Sequence, residues 1–510
     1  MSSEKKVNRA KLYQLVLFPF NNGATNVYYI LTLNFIAYYA NGVLGLFLTF
    51  ATTMVTVMRL FDAVTDPIIG ALIDRTVTRF GKFRPFMVLG NGIMTVSAIL
   101  LYFGTRIISS DMMWLRYTLF VLFYALYIIG YTFQTACTRS GQSCLTNDPN
   151  QRPLFTVFNT VASLIGMGLV QFIAPLIAKK YGGYNNAGFF DFLVPIAILV
   201  SAILTILAVI GIWEKDREEY FGIGGRQEKV KFSEYVEVLK NNTELIRLMI
   251  AGAGCKLAFS IATNMTVLCM LYGAMMNNYD GLYLPMMMVG YAFSAPFFLL
   301  TVRTSQKHGQ KTSLVRYTTL ALVMYVGVLV LLCLWKQGVP AYNLSIKNIN
   351  LYTILFVLFF GIGYGAYYST ADMSIPMVAD CSDYETFRTG RFVPGIMGTL
   401  FSLVDKMVSS LGSTIVGVAV AAIGISTLPD GYTPYSEGMH GVVISLFCIV
   451  PMLAWIATLI AMKGYRLTGS RMKEIQAINA VRKDAIAKGM SLEEAMQKWK
   501  TIEQVPEEFK

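Results

Sequence analysis

Apolar residues fall along this chain in long runs separated by short polar connections. Runs of spanning length lie at about 13–40, 44–73, 86–105, 114–138, 154–178, 189–213, 246–274, 284–302, 314–335, 350–377, 393–424 and 439–463. A helix rising 1.5 Å per residue needs roughly 20 apolar residues to cross a bilayer, so each run predicts a transmembrane helix. Several are longer than that, which predicts tilt or kinks. Pro67, Pro175, Pro195, Pro296, Pro376 and Pro394 sit in or at the ends of these runs. The expected fold is an all-α membrane protein with twelve transmembrane helices in two pseudo-symmetric six-helix bundles.

Composition agrees: 55% of the 510 residues are hydrophobic and only 14% are charged, against about a quarter in soluble domains. The distribution of charge adds orientation. Thirty-three Lys and Arg lie in the termini and in the connections on one side, and six in those on the other. The positive-inside rule then places both termini and the central loop in the cytoplasm of a multi-pass inner-membrane protein. The net charge of +12 reads as topology, and no basic stretch belongs to a nucleic-acid-binding module. The first apolar run is too long for a cleaved signal peptide.

The longest hydrophilic connection divides the helices six and six. The expected organisation is an N-terminal bundle over 1–213, a middle loop over 214–245, a C-terminal bundle over 246–463 and a cytoplasmic tail over 464–510. Basic turns centred on Gly81 and Gly309 occupy equivalent places in the two halves, as duplicated transporter halves would have. In the tail, Ser491 and Glu494 have capping-box spacing, and Ile475, Ile478, Val481 and Ala485 form an apolar stripe expected to dock on the cytoplasmic face. The run Gly361, Gly363, Gly365 lies inside an apolar helix and reads as close helix packing or a flexible gate.

The chemistry concentrates in the second run. At 100° per residue, Arg59, Asp62 and Asp66 fall within about 60° of one another on one face. A charge at membrane depth costs about 3 kcal/mol even on the mildest scale, so the three must face a polar interior. They read as a cation site, since two carboxylates suit Na⁺ or a proton; an ion-pair network locking helices together is the alternative.

The stretch Arg59, Asp62, Ala63, Asp66, Pro67, Gly70, then Asp74, Arg75, Thr76, then Gly81, Lys82, Phe83, Arg84, Pro85 resembles the glycoside-pentoside-hexuronide:cation symporters. This family of the major facilitator superfamily includes the melibiose permeases. Met377 to Glu385, and Leu145 to Pro149 with Arg152, resemble the same family. The resemblance implies that Asp62 and Asp66 are the coupling carboxylates for Na⁺ or H⁺. It further places a hydroxyl ligand at Thr132 and a lysine approaching from the other half at Lys406. Lys406 could instead snorkel or pair with its neighbour Asp405. Substrate contacts are expected at Asn22, Asn26, Arg59, Tyr131, Gln134, Thr135, Arg139, Lys256, Ser402 and Lys406. Asn21, Asn22, Asn26, Gln134 and Thr135 offer amide and hydroxyl groups that sugars use, and each could equally be an interhelical hydrogen bond. Tyr29, Tyr131 and Tyr364 are candidates for stacking on a sugar ring. Asn26 and Thr135 stand where the melibiose branch has aspartates, which loosens the reading from galactosides. Lys256, about ten residues into the seventh helix, is a candidate receiver of a substrate carboxylate.

Cytoplasmic Asp74, Arg75, Arg79, Asp148, Arg152, Asp380, Asp383 and Arg388 read as salt bridges between the halves that close an inner gate. The expected function is secondary active symport of a sugar by alternating access, in a single copy, with no cofactor beyond the coupling ion. A facilitator of lysolipids or other amphiphiles and a non-transporting sensor are the competing readings. Seven scattered cysteines and two distant histidines argue against an enzyme, a disulfide framework or a multi-histidine metal site.

Overall fold

The structure, a computed structural model, describes residues 9–76, 78–146, 151–217, 240–390 and 394–506. The described residues are helical throughout, apart from connections and one isolated bridge between Thr78 and Gly81. Ten of the helical segments are long and apolar enough to cross a membrane. Two further long helices, Phe20–Tyr38 and Leu48–Arg75, carry the asparagines and charges singled out above. The chain forms two compact units. One comprises residues 1–228 with 413–435; the other comprises 229–412 with 436–510.

The first unit holds a short α1 (Leu12–Leu17), α2 (Phe20–Tyr38), α3 (Leu48–Arg75), α4 (Arg84–Tyr102), α5 (Met113–Leu145), α6 (Gln151–Tyr181) and α7 (Ala187–Ile212). Pro67, Pro175 and Pro195 lie inside α3, α6 and α7 without ending them, as a bundle permits when neighbours satisfy the freed carbonyls. Helix α2 packs against α6 and α7, and α4 against α5. The α2–α6 approach is set by glycine. A Cβ on Gly166 would lie 2.2 Å from the Gly23 carbonyl oxygen, and one on Gly23 would lie 2.8 Å from that of Ala162.

The basic turn before α4 is built around Asp216, just past the end of α7. Its carboxylate is fully buried and accepts from the backbone N–H groups of Lys82, Phe83 and Arg84 at 2.8–3.1 Å. The Arg84 guanidinium adds a contact at 3.3 Å. One side chain thereby satisfies the orphan amides at the start of α4. Gly81 is required here twice over. Its φ is +104°, and a Cβ would fall 2.3 Å from Asp216 Oδ2. Nearby, the Lys11 ammonium donates to Glu214 at 2.9 Å and holds that carboxyl below its ordinary range. The end of the 413–435 segment is also pinned within this unit. Asn41 donates to the Ser426 carbonyl and accepts from Leu428 N–H, Asn185 donates to the Leu428 carbonyl, and the Tyr38 hydroxyl donates to the Pro429 carbonyl.

The second unit holds α8 (Thr243–Ala262), α9 (Met265–Leu268), α10 (Tyr279–His308), α11 (Gln310–Leu334), α12 (Leu351–Thr370), α13 (Ser374–Thr389), most of α14 (Pro394–Ala422), α15 (Met439–Val443) and α16 (Val450–Gly464). The seventh expected span is interrupted at Thr263–Asn264, where the Asn264 side chain caps α9 through Thr266 N–H. The tenth is interrupted at Ala371–Met373, and Pro376 then sits in the first turn of α13, where its missing N–H costs nothing. The glycine run is a packing surface. Cβ atoms on Gly361 and Gly363 would meet the rings of Phe293 and Tyr325 at 2.7 and 2.8 Å.

The tail forms α17 (Gly469–Ala487) and α18 (Leu492–Lys498), the latter opened by the Ser491–Glu494 capping box. Ile478, Val481 and Ala485 are buried with Ala495 and Trp499 in a small core of their own, and Ile475 joins the main core of the unit. The tail docks on α13. Arg482 donates to the Phe387 carbonyl at 2.7 Å and to the Trp499 carbonyl, and Asn479 donates to the Asp383 carbonyl at 2.9 Å.

Candidate functional site

In the first unit α3 and α5 run side by side, which carries the charged face of α3 to the hydroxyl face of α5. Asp62 is fully buried. Thr132 donates to its Oδ1 at 3.0 Å, and the Arg59 guanidinium approaches its Oδ2 at 3.4 Å. Thr65 joins the group through its hydroxyl, 3.1 Å from that of Thr132. A cation and a hydroxyl thus both face the carboxylate, as burial of a charge demands.

Arg59 is itself confined by aromatic rings. Its guanidinium carbon lies 4.9 Å from the centroid of Tyr29 and 5.9 Å from that of Tyr131, and its Nη2 is 3.4 Å from the Tyr29 hydroxyl. The two rings face each other at 6.2 Å. Guanidinium against tyrosine faces is a cation–π arrangement, and it fixes which way the charge points. The same residues, with Tyr124 and Tyr127, line a small cavity of about 20 Å³. Asp66, one turn beyond Asp62, is half-buried and meets the exposed Arg139 at 3.5 Å. The α3 face therefore carries one fully buried carboxylate and one partly exposed carboxylate.

The polar residues of α2 are engaged differently. The Asn26 amide donates to the carbonyl and side-chain oxygens of Asn22, one turn back on its own helix. Asn22 lies 3.4 Å from the Asn159 carbonyl of α6, and Asn21 donates to the Gln134 carbonyl and to Thr138. Gln134 has 0% exposure and spends its amide on the Met87 carbonyl, Thr205 and Thr25. It acts as an interhelical strut, because it is fully buried and both its N–H donors are already engaged by neighbouring helices. Thr135 donates to the Thr132 carbonyl behind it.

In the second unit Lys256 on α8 forms an ion pair with Asp372, in the turn between α12 and α13. The pair lies beside aromatic packing: Tyr368, four residues before Asp372, meets Phe259, three residues after Lys256, at 5.3 Å, and Tyr364 stacks on Tyr368 at 5.5 Å. Tyr364 is thus buried among rings, with Phe360 and Tyr367 also against it at 5.4 and 5.1 Å. Lys406 is buried on α14 and Ser402 is partly buried one turn earlier. Of the gate residues, Asp148 and the side chains of Asp74 and Arg152 lie outside the described residues. Arg75 and Arg79 are exposed, with Arg79 over the Phe80 ring. Arg388 pairs with Glu385 of its own helix at 2.8 Å, and Asp383 accepts from Gln476 of the tail at 3.3 Å.

Thr65, Asp216 and Asp372 were not singled out in the sequence. Thr65 had a signal, since it stands at i+3 from Asp62 and shares its face. Asp216 and Asp372 had none, because their partners are remote in the chain.

Comparison with known proteins gives this geometry its family. Residues 20–469 match the family described as MFS/sugar transport protein. The glucuronide carrier protein homolog of Escherichia coli is 24% identical over 90% of this chain and 94% of its own. The lactose permease of Lactobacillus delbrueckii subsp. bulgaricus is 24% identical over 83% of this chain and 64% of its own. Among solved structures, a D-xylose-proton symporter superposes with a TM-score of 0.57, at 14% identity, over 88% of this chain and 97% of that one, which speaks to the fold. The chain belongs to the MFS/sugar transport family, within its melibiose-permease-like branch. It is a multi-pass membrane transporter of sugars and not an enzyme.

Proposed function

We propose that this member of the sugar transport family is an inner-membrane symporter that couples entry of Na⁺ or H⁺ to uptake of a glycoside, oligosaccharide, pentoside or hexuronide. Both termini would lie in the cytoplasm. The observation that carries the proposal is the buried Asp62, held by Thr132 and Arg59 one turn from the partly exposed Asp66. A carboxylate at this depth is expensive unless it is used. In this reading a cation binds the oxygens of Asp62 and Asp66, with Thr132 as the neutral ligand. The Asp66–Arg139 contact is long enough for an arriving cation to replace it. Lys406 would supply the balancing charge when the site is empty. The differential charge between loaded and empty states is what a coupling ion must act on.

The sugar would lie against Tyr29 and Tyr131, whose faces suit a pyranose ring, with Arg59 and Arg139 donating to hydroxyl or carboxylate oxygens. Asn22, Asn26, Thr135, Ser402 and Lys256 complete the proposed contacts. Lys256 already holds Asp372, so it would take a substrate carboxylate only by exchanging one carboxylate for another. The polar face of α2 and the charged face of α3 disfavour an amphiphile as cargo. Uptake into proteoliposomes of a panel of glycosides and uronides, with and without Na⁺ at two pH values, tests the proposal. It fails if no sugar moves faster under either ion gradient.

A further inference from the structure

Several basic side chains near the ends of the described helices have a carboxylate partner. Arg84 has Asp216, Arg247 has Glu244, Arg388 has Glu385 and Arg471 has Glu474. The connection between α10 and α11 is different. Arg303, Lys307 and His308 at the end of α10 and Arg316 in the second turn of α11 line one open cavity of about 510 Å³ with Thr304 and Gln306. No carboxylate lines it. Among the described residues none of these four basic side chains has an ion-pair or hydrogen-bond partner. The positive-inside rule accounts for basic residues in such a loop. It does not account for their convergence on one cavity with nothing opposite them.

Two neighbouring features say what would stand opposite. Helix α11 begins at Gly309 with no side-chain cap, so its first amides are available to an anion. Deeper along the helices, the faces that carry the charges become apolar and outward-facing. Leu299 and Leu300, one turn before Arg303 on α10, are 67% and 44% exposed, and Val323, two turns after Arg316 on α11, is 54% exposed. A cationic head-pocket continued by an exposed apolar track fits an amphiphile with an anionic head.

We infer that the α10–α11 connection binds the phosphate headgroup of an anionic phospholipid. Arg303 and Arg316 provide the phosphate contacts, and an acyl chain follows Leu299, Leu300 and Val323. None of these residues belongs to the proposed transport site, so the inference stands apart from it.

The test uses the full chain in nanodiscs of phosphatidylcholine, with phosphatidylglycerol added stepwise and thermal unfolding recorded. Phosphatidylglycerol is expected to raise the midpoint of the parent by about 2 °C or more. The pair Arg303→Gln/Arg316→Gln should lose that rise while keeping the parent midpoint in phosphatidylcholine alone. The pair Arg303→Lys/Arg316→Lys should retain most of it. A control pair on the tail, Lys483→Gln/Lys498→Gln, should behave as the parent. The inference is overturned if the glutamine pair keeps the rise, or if the tail pair loses it equally, which would mean diffuse attraction to the membrane surface. It is also overturned if millimolar glycerol 3-phosphate in detergent gives the same shift, which would make the site one for soluble phosphates.

Discussion

The Thr132 hydroxyl donates to Asp62 Oδ1 at 3.0 Å, across the α3–α5 interface and seventy residues along the chain. That bond gives a buried carboxylate a neutral partner that a cation can share. Thr132→Val removes it and leaves the acceptor short of one donor, a loss of about 1–3 kcal/mol. Cation affinity, read from the Na⁺ or proton dependence of uptake, should fall about 5- to 100-fold, and Thr132→Ser should restore most of it. Equal cation dependence in Thr132→Val and the parent would remove Thr132 from the site.

Arg59 is held by shape as well as by charge, lying against Tyr29 and Tyr131 while reaching Asp62. Arg59→Lys keeps the charge but loses the planar fork and the stacking. Uptake should drop at least tenfold although the protein still reaches the membrane. Parent-like transport by Arg59→Lys would show that only a positive charge is needed there.

Lys256 and Asp372 neutralise each other in the second unit. Asp372 is 68% exposed and Lys256 only 21%. Asp372→Asn, which leaves the more buried ammonium without its carboxylate, should therefore lower the thermal midpoint, while Lys256→Met should change it little. The double variant should recover part of the loss. The same variants sort the substrates. A carboxylate-bearing sugar should lose uptake in Lys256→Met while a neutral glycoside keeps it. If transport of every substrate in the panel survives Lys256→Met, the lysine has no part in recognition.

Asp216 caps three amides at once. Asp216→Ala leaves buried N–H groups without an acceptor and should cost several kcal/mol, about 1–3 kcal/mol for each. Low membrane yield and rapid proteolysis of the connection before α4 are the expected readouts. Asp216→Asn, which keeps one acceptor oxygen, should be intermediate. Protease resistance equal to the parent in Asp216→Ala would mean that water replaces the carboxylate.

Gly166 lies so close to Gly23 that a Cβ would fall 2.2 Å from a carbonyl oxygen. Because backbone cannot swing aside as a side chain can, Gly166→Ala should separate α2 from α6 and lower the midpoint. Gly166→Leu should abolish a stable product in detergent. A folded, transport-competent Gly166→Leu would contradict the packing.

The helical spans, the capped tail helix and the charged face of α3 were legible in the chain because each depends on local periodicity. An apolar run of sufficient length must be a helix in lipid, where every backbone group needs an internal partner. Arg59, Asp62 and Asp66 share a face by helix geometry alone, and Ser491 and Glu494 cap by spacing alone. What the tertiary structure decided was pairing. Thr132 reaches Asp62, Asp372 takes Lys256, and Asp216 closes over Gly81 only once helices remote in sequence lie together. For the same reason Gln134, a sugar-contact candidate by residue type, became a strut between helices: an amide's role depends on which groups surround it, and a linear sequence does not contain its neighbours.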